Sequence, residues 1–90
     1  MIGRECSLNI KKGYRLQWEE AQAGWVILFP EGMIQLNDTA AMILRQFQQP
    51  TVVHEAITKL EATFPGEEIQ NDIIEFLEDA CAQQWLEPTE

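Results

Sequence analysis

The sequence predicts an α+β fold, with a three-stranded antiparallel sheet followed by a three-helix bundle. Residues 14–36 show strand patterns separated by short turn segments, and apolar residues in 37–86 recur at intervals of three and four. Proline and glycine separate the predicted elements. A run of strands followed by a run of helices is typical of the α+β class.

The three predicted strands differ in how they are buried. The first alternates apolar and polar residues, which indicates one buried face. The second is apolar at every position, which predicts a central strand covered on both faces. A turn at Pro30-Glu31-Gly32 leads into the third, so the first and third strands form the sheet edges. The predicted ranges are 14–19, 25–29 and 33–36.

The first two predicted helices have recognisable start and stop signals. Asn37 or Asp38 can cap the first helix, which ends before Pro50. Thr51 can cap the second helix, which ends at Pro65. The sequence therefore predicts short connections between helices.

The third predicted helix has a wide apolar face. It begins near Glu67 and Glu68, where the helix dipole favours negative charge. Its apolar arc covers roughly 160° at 100° per residue, so it can contact the core and still leave a margin at the surface. The arc contains Ile69, Ile73, Phe76, Leu77 and Ala80, widened by Ile74 and Cys81.

One domain is predicted over residues 13–86. Residues 1–12 lack periodicity and are interpreted as a flexible arm or a loosely docked extension, and residues 87–90 as a polar tail. The sequence contains no membrane-length apolar run, and residues 1–5 lack the apolar core of a signal peptide. We expect a cytoplasmic protein with no membrane partner, either a monomer or a homodimer.

Charge is distributed unevenly along the chain. The net charge is −9, yet residues 1–50 hold five acidic and five basic side chains. Residues 51–90 hold ten acidic side chains and one base, Lys59. Such a surface repels phosphate backbones, so no nucleic-acid partner is expected.

The sequence contains no arrangement typical of catalysis or metal binding. His54 is the single histidine, and Cys6 and Cys81 are far apart and lack the spacing of metal ligands. Ser7 is the only serine, and there is no glycine-rich phosphate loop. We therefore expect a protein that is not an enzyme and that binds no cofactor and no metal.

Several motifs, in order along the chain, resemble the PqqD family of pyrroloquinoline quinone biosynthesis. The most specific are Arg-Leu-Gln-Trp-Glu at 15–19 and Phe-Pro-Glu-Gly at 29–32. The resemblance covers about residues 13–86. In the first interhelical loop, Gln48-Gln49-Pro50 stands where the family often has an Asp-Gly turn. This departure bears on the shape of that loop and not on the fold. The other matching segments are Leu36-Asn37, Ala41–Leu44, Thr51-Val52, Leu60, Phe64, Asp72–Leu77 and Trp85-Leu86.

The resemblance implies a winged-helix-like peptide recognition element without catalytic activity or cofactor. It implies a carrier that binds the ribosomal precursor peptide PqqA and presents it to PqqE, a radical S-adenosylmethionine enzyme. In the wider group of recognition elements, the peptide adds as a strand beside the third strand and lies against the third helix. The candidate peptide-binding residues are Met33, Ile34, Gln35, Leu36, Ile69, Asp72, Ile73, Phe76, Leu77 and Ala80.

The residues themselves agree with this function and leave one alternative open. An unpaired edge strand exposes backbone donors and acceptors that an extended peptide can use. A winged-helix nucleic-acid binder would need a basic recognition helix, whereas the third helix carries four acids and no base. A winged-helix type of protein-protein adaptor without a peptide-carrier role stays open on the sequence.

Overall fold

The structure, a computed structural model, describes residues 2–89. Within them, six strands, three α-helices and a short 3₁₀ helix at Glu20–Gln22 form two three-stranded sheets and a set of packed helices, which confirms the α+β class. The elements are β1 (Ser7–Ile10), β2 (Arg15–Glu19), β3 (Gly24–Phe29), β4 (Gly32–Gln35), α1 (Asp38–Arg45), β5 (Thr51–Val52), α2 (Val53–Thr63), α3 (Gln70–Ala82) and β6 (Leu86–Pro88).

The larger sheet has the order β2-β3-β4, and all its pairs are antiparallel. As predicted, the apolar segment β3 is central, and its residues Val26 and Ile27 have no exposed surface. In the register of the sheet, Ile27 lies opposite Leu16 on β2 and Ile34 on β4. Opposite residues share a face, and the burial of Leu16 and Ile27 in the core cluster shows that this side of the sheet faces the core.

Helix α1, which follows β4, is capped as predicted. The Asn37 side chain accepts a hydrogen bond from the Ala40 amide at 2.7 Å. This contact satisfies one of the free amides of the first turn of α1. Because β4 ends at Gln35 and α1 begins at Asp38, the edge strand and the helix are joined by two residues.

The predicted cap of α2 is wrong. The Thr51 hydroxyl donates to the carbonyl of Gln46 instead, and Val52 at the helix start makes no side-chain cap. The first amides of α2 are satisfied by backbone carbonyls from the N-terminal segment. The Val53 amide donates to Cys6, and the His54 amide to Arg4, each at 2.8 Å.

A second sheet, with the order β5-β1-β6, was not expected from the sequence. The interpretation of residues 1–12 as an arm outside the domain is wrong for β1, since Leu8 is 1% exposed and belongs to the core. The polar tail likewise begins inside β6, which pairs with β1 from Leu86 to Pro88. The pairing of β1 with β6 therefore brings an N-terminal and a C-terminal segment of the described chain into one sheet.

The core lies between these sheets and the helices. Its largest fully buried side chain is Phe47, directly after α1, and the Phe47 carbonyl accepts a hydrogen bond from the Ile10 amide of β1. Buried members come from every helix and from both sheets, so one core unites residues from Leu8 to Leu86. The Arg45 guanidinium lies 4.8 Å from the centre of the Trp25 ring and links α1 to β3.

Candidate functional site

The outer edge of β4 is open. β4 pairs with β3, and no strand among residues 2–89 pairs with its other side. Just after β4, the Leu36 amide donates a hydrogen bond to the Trp25 carbonyl at 3.0 Å. Backbone groups alternate in direction along an antiparallel strand, so the N–H and C=O groups of Ile34 also point toward β3. The N–H and C=O groups of Met33 and Gln35 therefore face outward.

The side chains of β4 are correspondingly accessible. Met33 is 43% exposed, and its sulfur accepts a long hydrogen bond of 3.9 Å from the side-chain amide of Gln22. Gln35 is exposed, and Ile34 and Leu36 are half-buried toward the helices. This edge can supply two donors and two acceptors to an added strand without disturbing the pairing of β4 with β3.

An apolar groove of about 390 Å³ opens between α1, the end of α2 and α3. Buried Ile43, Leu60 and Ile73 line it together with half-buried side chains from α1, from α3 and from the segment between α2 and α3. Its volume lies at the small end of ligand pockets, roughly 300–1,000 Å³. The lining residues are Thr39, Met42, Ile43, Leu60, Phe64, Glu67, Ile69, Asp72, Ile73 and Phe76.

The structure brings together four of the six candidates predicted on the third helix. Ile69, Asp72, Ile73 and Phe76 all line the groove. The other two do not belong to it: Leu77 and Ala80 have no exposed surface. Their side chains lie on the inner part of the wide apolar arc, against the core, so they cannot contact a ligand at the surface.

The four candidates on β4 and directly after it form a separate part of the candidate site. Met33, Ile34, Gln35 and Leu36 do not line the groove. Their strand leads directly into α1, whose residues Thr39 and Met42 form one groove wall. The candidate site thus consists of an open strand edge and an apolar groove joined by the start of α1.

The groove residues outside the third helix were not predicted from the sequence. Thr39, Met42 and Ile43 come from α1, and Phe64 follows the end of α2. Met42 carried a usable signal, because methionine is common at adaptable binding surfaces. The opening between the helices depends on long-range packing, which helical periodicity alone does not specify.

The described part of the chain offers little catalytic chemistry. Among residues 2–89, no group of three or more His, Cys, Asp or Glu side chains is placed to hold a metal ion. Burial raises the pKa of the Cys81 thiol, and the charge interaction with Cys6 raises it further, which disfavours a reactive thiolate at Cys81. In the same part of the chain, no helix is long and apolar enough to cross a membrane.

Comparisons with known proteins give a consistent assignment. Residues 24–86 match the sequence model of Coenzyme PQQ synthesis protein D (PqqD). A protein of Acinetobacter baylyi named PqqA binding protein is 46% identical over 76 residues, covering 83% of this chain and 77% of its own length. A Klebsiella pneumoniae protein of the same name is 48% identical over 77 residues, covering 84% of each chain.

A solved structure has the same fold. It is the solution NMR structure of the PqqD truncation of Methylobacterium extorquens PqqCD, described as a stand-alone recognition element for ribosomally synthesised and modified peptides. It matches with a TM-score of 0.76 and 24% identity over 97% of this chain and 95% of that one. With a family match over more than half of its residues and relatives of this identity and coverage, the chain belongs to the PqqD family.

Proposed function

We propose that this protein binds the precursor peptide PqqA as an additional strand on β4, with apolar peptide side chains in the groove between α1 and α3. The observation that carries the proposal is an unpaired edge strand, β4, that leads through two residues into α1, a helix that lines the open apolar groove. The names of the relatives support PqqA as the ligand.

Strand addition at β4 provides affinity that depends little on peptide sequence. Met33 and Gln35 offer up to four outward backbone hydrogen bonds, each worth about 0.5–1.5 kcal/mol net. Much of this gain offsets the entropy lost when a flexible peptide becomes ordered. Backbone pairing alone is therefore expected to give weak binding.

The groove adds the affinity and selectivity that backbone pairing lacks. Burying one large aliphatic or aromatic peptide side chain stabilises a complex by about 1.5–3 kcal/mol. Phe76 of α3 and Met42 of α1 both line the groove and are only half-buried. An apolar side chain between them would bury surface on both helices.

Binding of synthetic PqqA to the purified protein tests the proposal, measured by calorimetry. Phe76→Ala removes a groove wall and should weaken binding roughly tenfold, since it forfeits about 1–2 kcal/mol of apolar contact. Glu75→Ala is the matched control, because Glu75 is the exposed neighbour of Phe76 and does not line the groove. Equal affinity of both variants for PqqA would remove the groove from the proposal.

We further propose that the complex with PqqA is the form that PqqE, a radical S-adenosylmethionine enzyme, receives. The resemblance to the PqqD family supports this step, and a carrier needs no catalytic groups of its own. PqqE activity on PqqA should rise when the protein is added, and Phe76→Ala should reduce the increase. Turnover that is independent of the protein would contradict a presenting role.

A further inference from the structure

The sheet β2-β3-β4 has a second open edge, on the outer side of β2. β2 pairs with β3, and no strand among residues 2–89 pairs with its other side. An open edge can pair with another chain, and many proteins block such edges with charged side chains. β2 carries two charged residues, Arg15 and Glu19, one at each end. Because their charges have opposite signs, they do not block every partner.

The register of the sheet shows which backbone groups of β2 point outward. The Trp25 carbonyl accepts a hydrogen bond from the amide that follows β4, so the N–H and C=O groups of Trp25 point toward β4. Backbone groups alternate in direction along an antiparallel strand, so those of Val26 point toward β2, where Val26 lies opposite Gln17. Gln17 is therefore bonded to β3. The N–H and C=O groups of its two neighbours, Leu16 and Trp18, point outward.

The sequence of β2, Arg-Leu-Gln-Trp-Glu, is complementary to itself when two copies pair antiparallel about Gln17. In that register, Arg15 of one copy lies opposite Glu19 of the other, and opposite charges placed there stabilise a strand pair. Leu16 lies opposite Trp18 of the other copy. These are the residues whose backbone groups point outward, so each such pair can exchange two hydrogen bonds. The register that matches the charges thus also matches the backbone groups.

The side chains at this edge are placed to form an interface. Trp18 is 46% exposed, which is unusual for a large apolar side chain. Its ring packs edge-on against the ring of Trp25, with the ring centroids 6.0 Å apart at 76°. One carboxylate oxygen of Glu19 accepts the Ala21 amide at 3.3 Å, and the other oxygen can accept from an arginine. Pairing of β2 would cover the Trp18 side chain and bring an arginine to Glu19.

We propose that two copies of this chain associate through β2, which pairs antiparallel with β2 of the second copy about a twofold axis at Gln17. The two three-stranded sheets then form one continuous sheet with the strand order β4-β3-β2-β2-β3-β4. The twofold axis makes the interface isologous, so every contact occurs twice. Both β4 edges lie at the outer ends of this sheet and stay open. The inference therefore does not depend on the proposed function.

The order of charges along β2 favours a second copy over an unrelated strand as the occupant. An unrelated strand can use the same backbone groups, whereas β2 itself also matches the two charges. The interface is small and its ion pairs are exposed, so we expect a weak dimer with a dissociation constant on the order of 100 µM. Each chain carries a net charge of −9, and physiological salt is needed to screen the repulsion between the two copies.

Sedimentation equilibrium of the full chain at physiological salt tests this inference, from about 10 µM to about 1 mM protein. R15E and E19R should each weaken the dimer about fivefold or more, because each places like charges opposite one another. An equimolar mixture of R15E and E19R should associate about as tightly as the wild type, since opposite charges again face each other at both positions. The mixture also keeps the total charge of the wild-type dimer.

The matched control is K59E, which changes the net charge by the same amount as R15E at an exposed position of α2. It should stay within about twofold of the wild type, and circular dichroism should show that all three variants are folded. A wild type that is monomeric throughout the range overturns the inference. A dimer that R15E and K59E weaken equally, or a mixture no tighter than either variant alone, overturns the proposed register.

Amide hydrogen exchange of the wild type gives a readout that needs no variant. The amides of Leu16 and Trp18 should exchange more slowly at high than at low protein concentration. The Gln17 amide, bonded to β3, should be protected at both. Slowing confined to Met33 and Gln35 would mean that the copies pair through β4, and this result overturns the inference.

Discussion

The Leu36 amide donates to the Trp25 carbonyl at 3.0 Å, and this bond fixes the direction of every backbone group along β4. Two residues earlier, Ile34 faces β3 in the same way, while the Met33 and Gln35 groups between them face the open edge. A proline scan of this strand therefore separates strand pairing from peptide binding.

Gln35→Pro should weaken PqqA binding about three- to tenfold, because it removes one outward N–H and its hydrogen bond. Proline is tolerated on the open side of an edge strand, so the variant should fold. Gln35→Ala keeps the amide and serves as the control in the same calorimetric titration. If Gln35→Pro and Gln35→Ala bind alike, the peptide does not pair with this amide.

Ile34→Pro should act on the fold instead. This substitution removes an N–H that faces β3. The free energy of unfolding of Ile34→Pro should therefore lie further below that of the wild type than the free energy of Gln35→Pro does. Urea denaturation followed by tryptophan fluorescence measures both. A stable Ile34→Pro variant that fails to bind PqqA would reverse the assignment of inward and outward groups.

Leu8→Ala should destabilise the protein by about 2–4 kcal/mol, because Leu8 is 1% exposed in the core. Urea denaturation is the measurement, and Lys12→Ala is the control for an exposed side chain nearby. A loss below about 0.5 kcal/mol would mean that β1 contributes little to the core.

Asn37→Ala should lower the free energy of unfolding by about 1 kcal/mol, since the Ala40 amide loses its side-chain acceptor. Asn37→Asp retains an acceptor oxygen and should remain close to the wild type in the same denaturation series. No difference between the two variants would show that the cap is dispensable.

The Cys81 thiol should require more alkaline conditions for alkylation than an ordinary cysteine. Burial, with a smaller effect of Cys6, raises its pKa in the folded state. Unfolding is therefore favoured as the pH rises above the ordinary thiol pKa, where the unfolded chain loses its proton first. Iodoacetamide labelling of C6S as a function of pH checks this, and half-maximal labelling of Cys81 at the ordinary thiol pKa would contradict it.

Local patterns were sufficient to predict the sheet β2-β3-β4 and its central strand. The alternation in residues 14–19 and the continuous apolar run in 25–29 each reflect burial of whole strand faces. Aromatic Trp18 shows the limit of this reasoning. It has the phase of the core face, yet it is 46% exposed, whereas Leu16 on the same face of β2 is 7% exposed.

Long-range backbone contacts account for what the sequence did not predict. β1 pairs with β5 and β6, which lie more than forty residues away along the chain. The carbonyls of Arg4 and Cys6 satisfy the first amides of α2, so no capping side chain is needed there. Such contacts depend on the backbone rather than on side-chain type and leave little trace in composition or periodicity.

The candidate site was predictable where it depends on one helix face and not where it depends on packing between helices. Ile69, Ile73 and Phe76 follow from the wide apolar arc of the third helix, and all three line the groove. The packing of α1 and α2 against that arc determines how deeply Leu77 and Ala80 are buried. It also determines that Met42 and Phe64 line the groove. Neither feature could be predicted without the structure.

Amide hydrogen exchange of the outward groups on β4 tests strand addition most directly. The exchange of the Met33 and Gln35 amides should slow at least tenfold when PqqA is added, while the inward Ile34 amide is protected with or without peptide. Saturating PqqA that leaves Met33 and Gln35 exchanging at their free rates would contradict the account, because the peptide would then bind elsewhere on the protein.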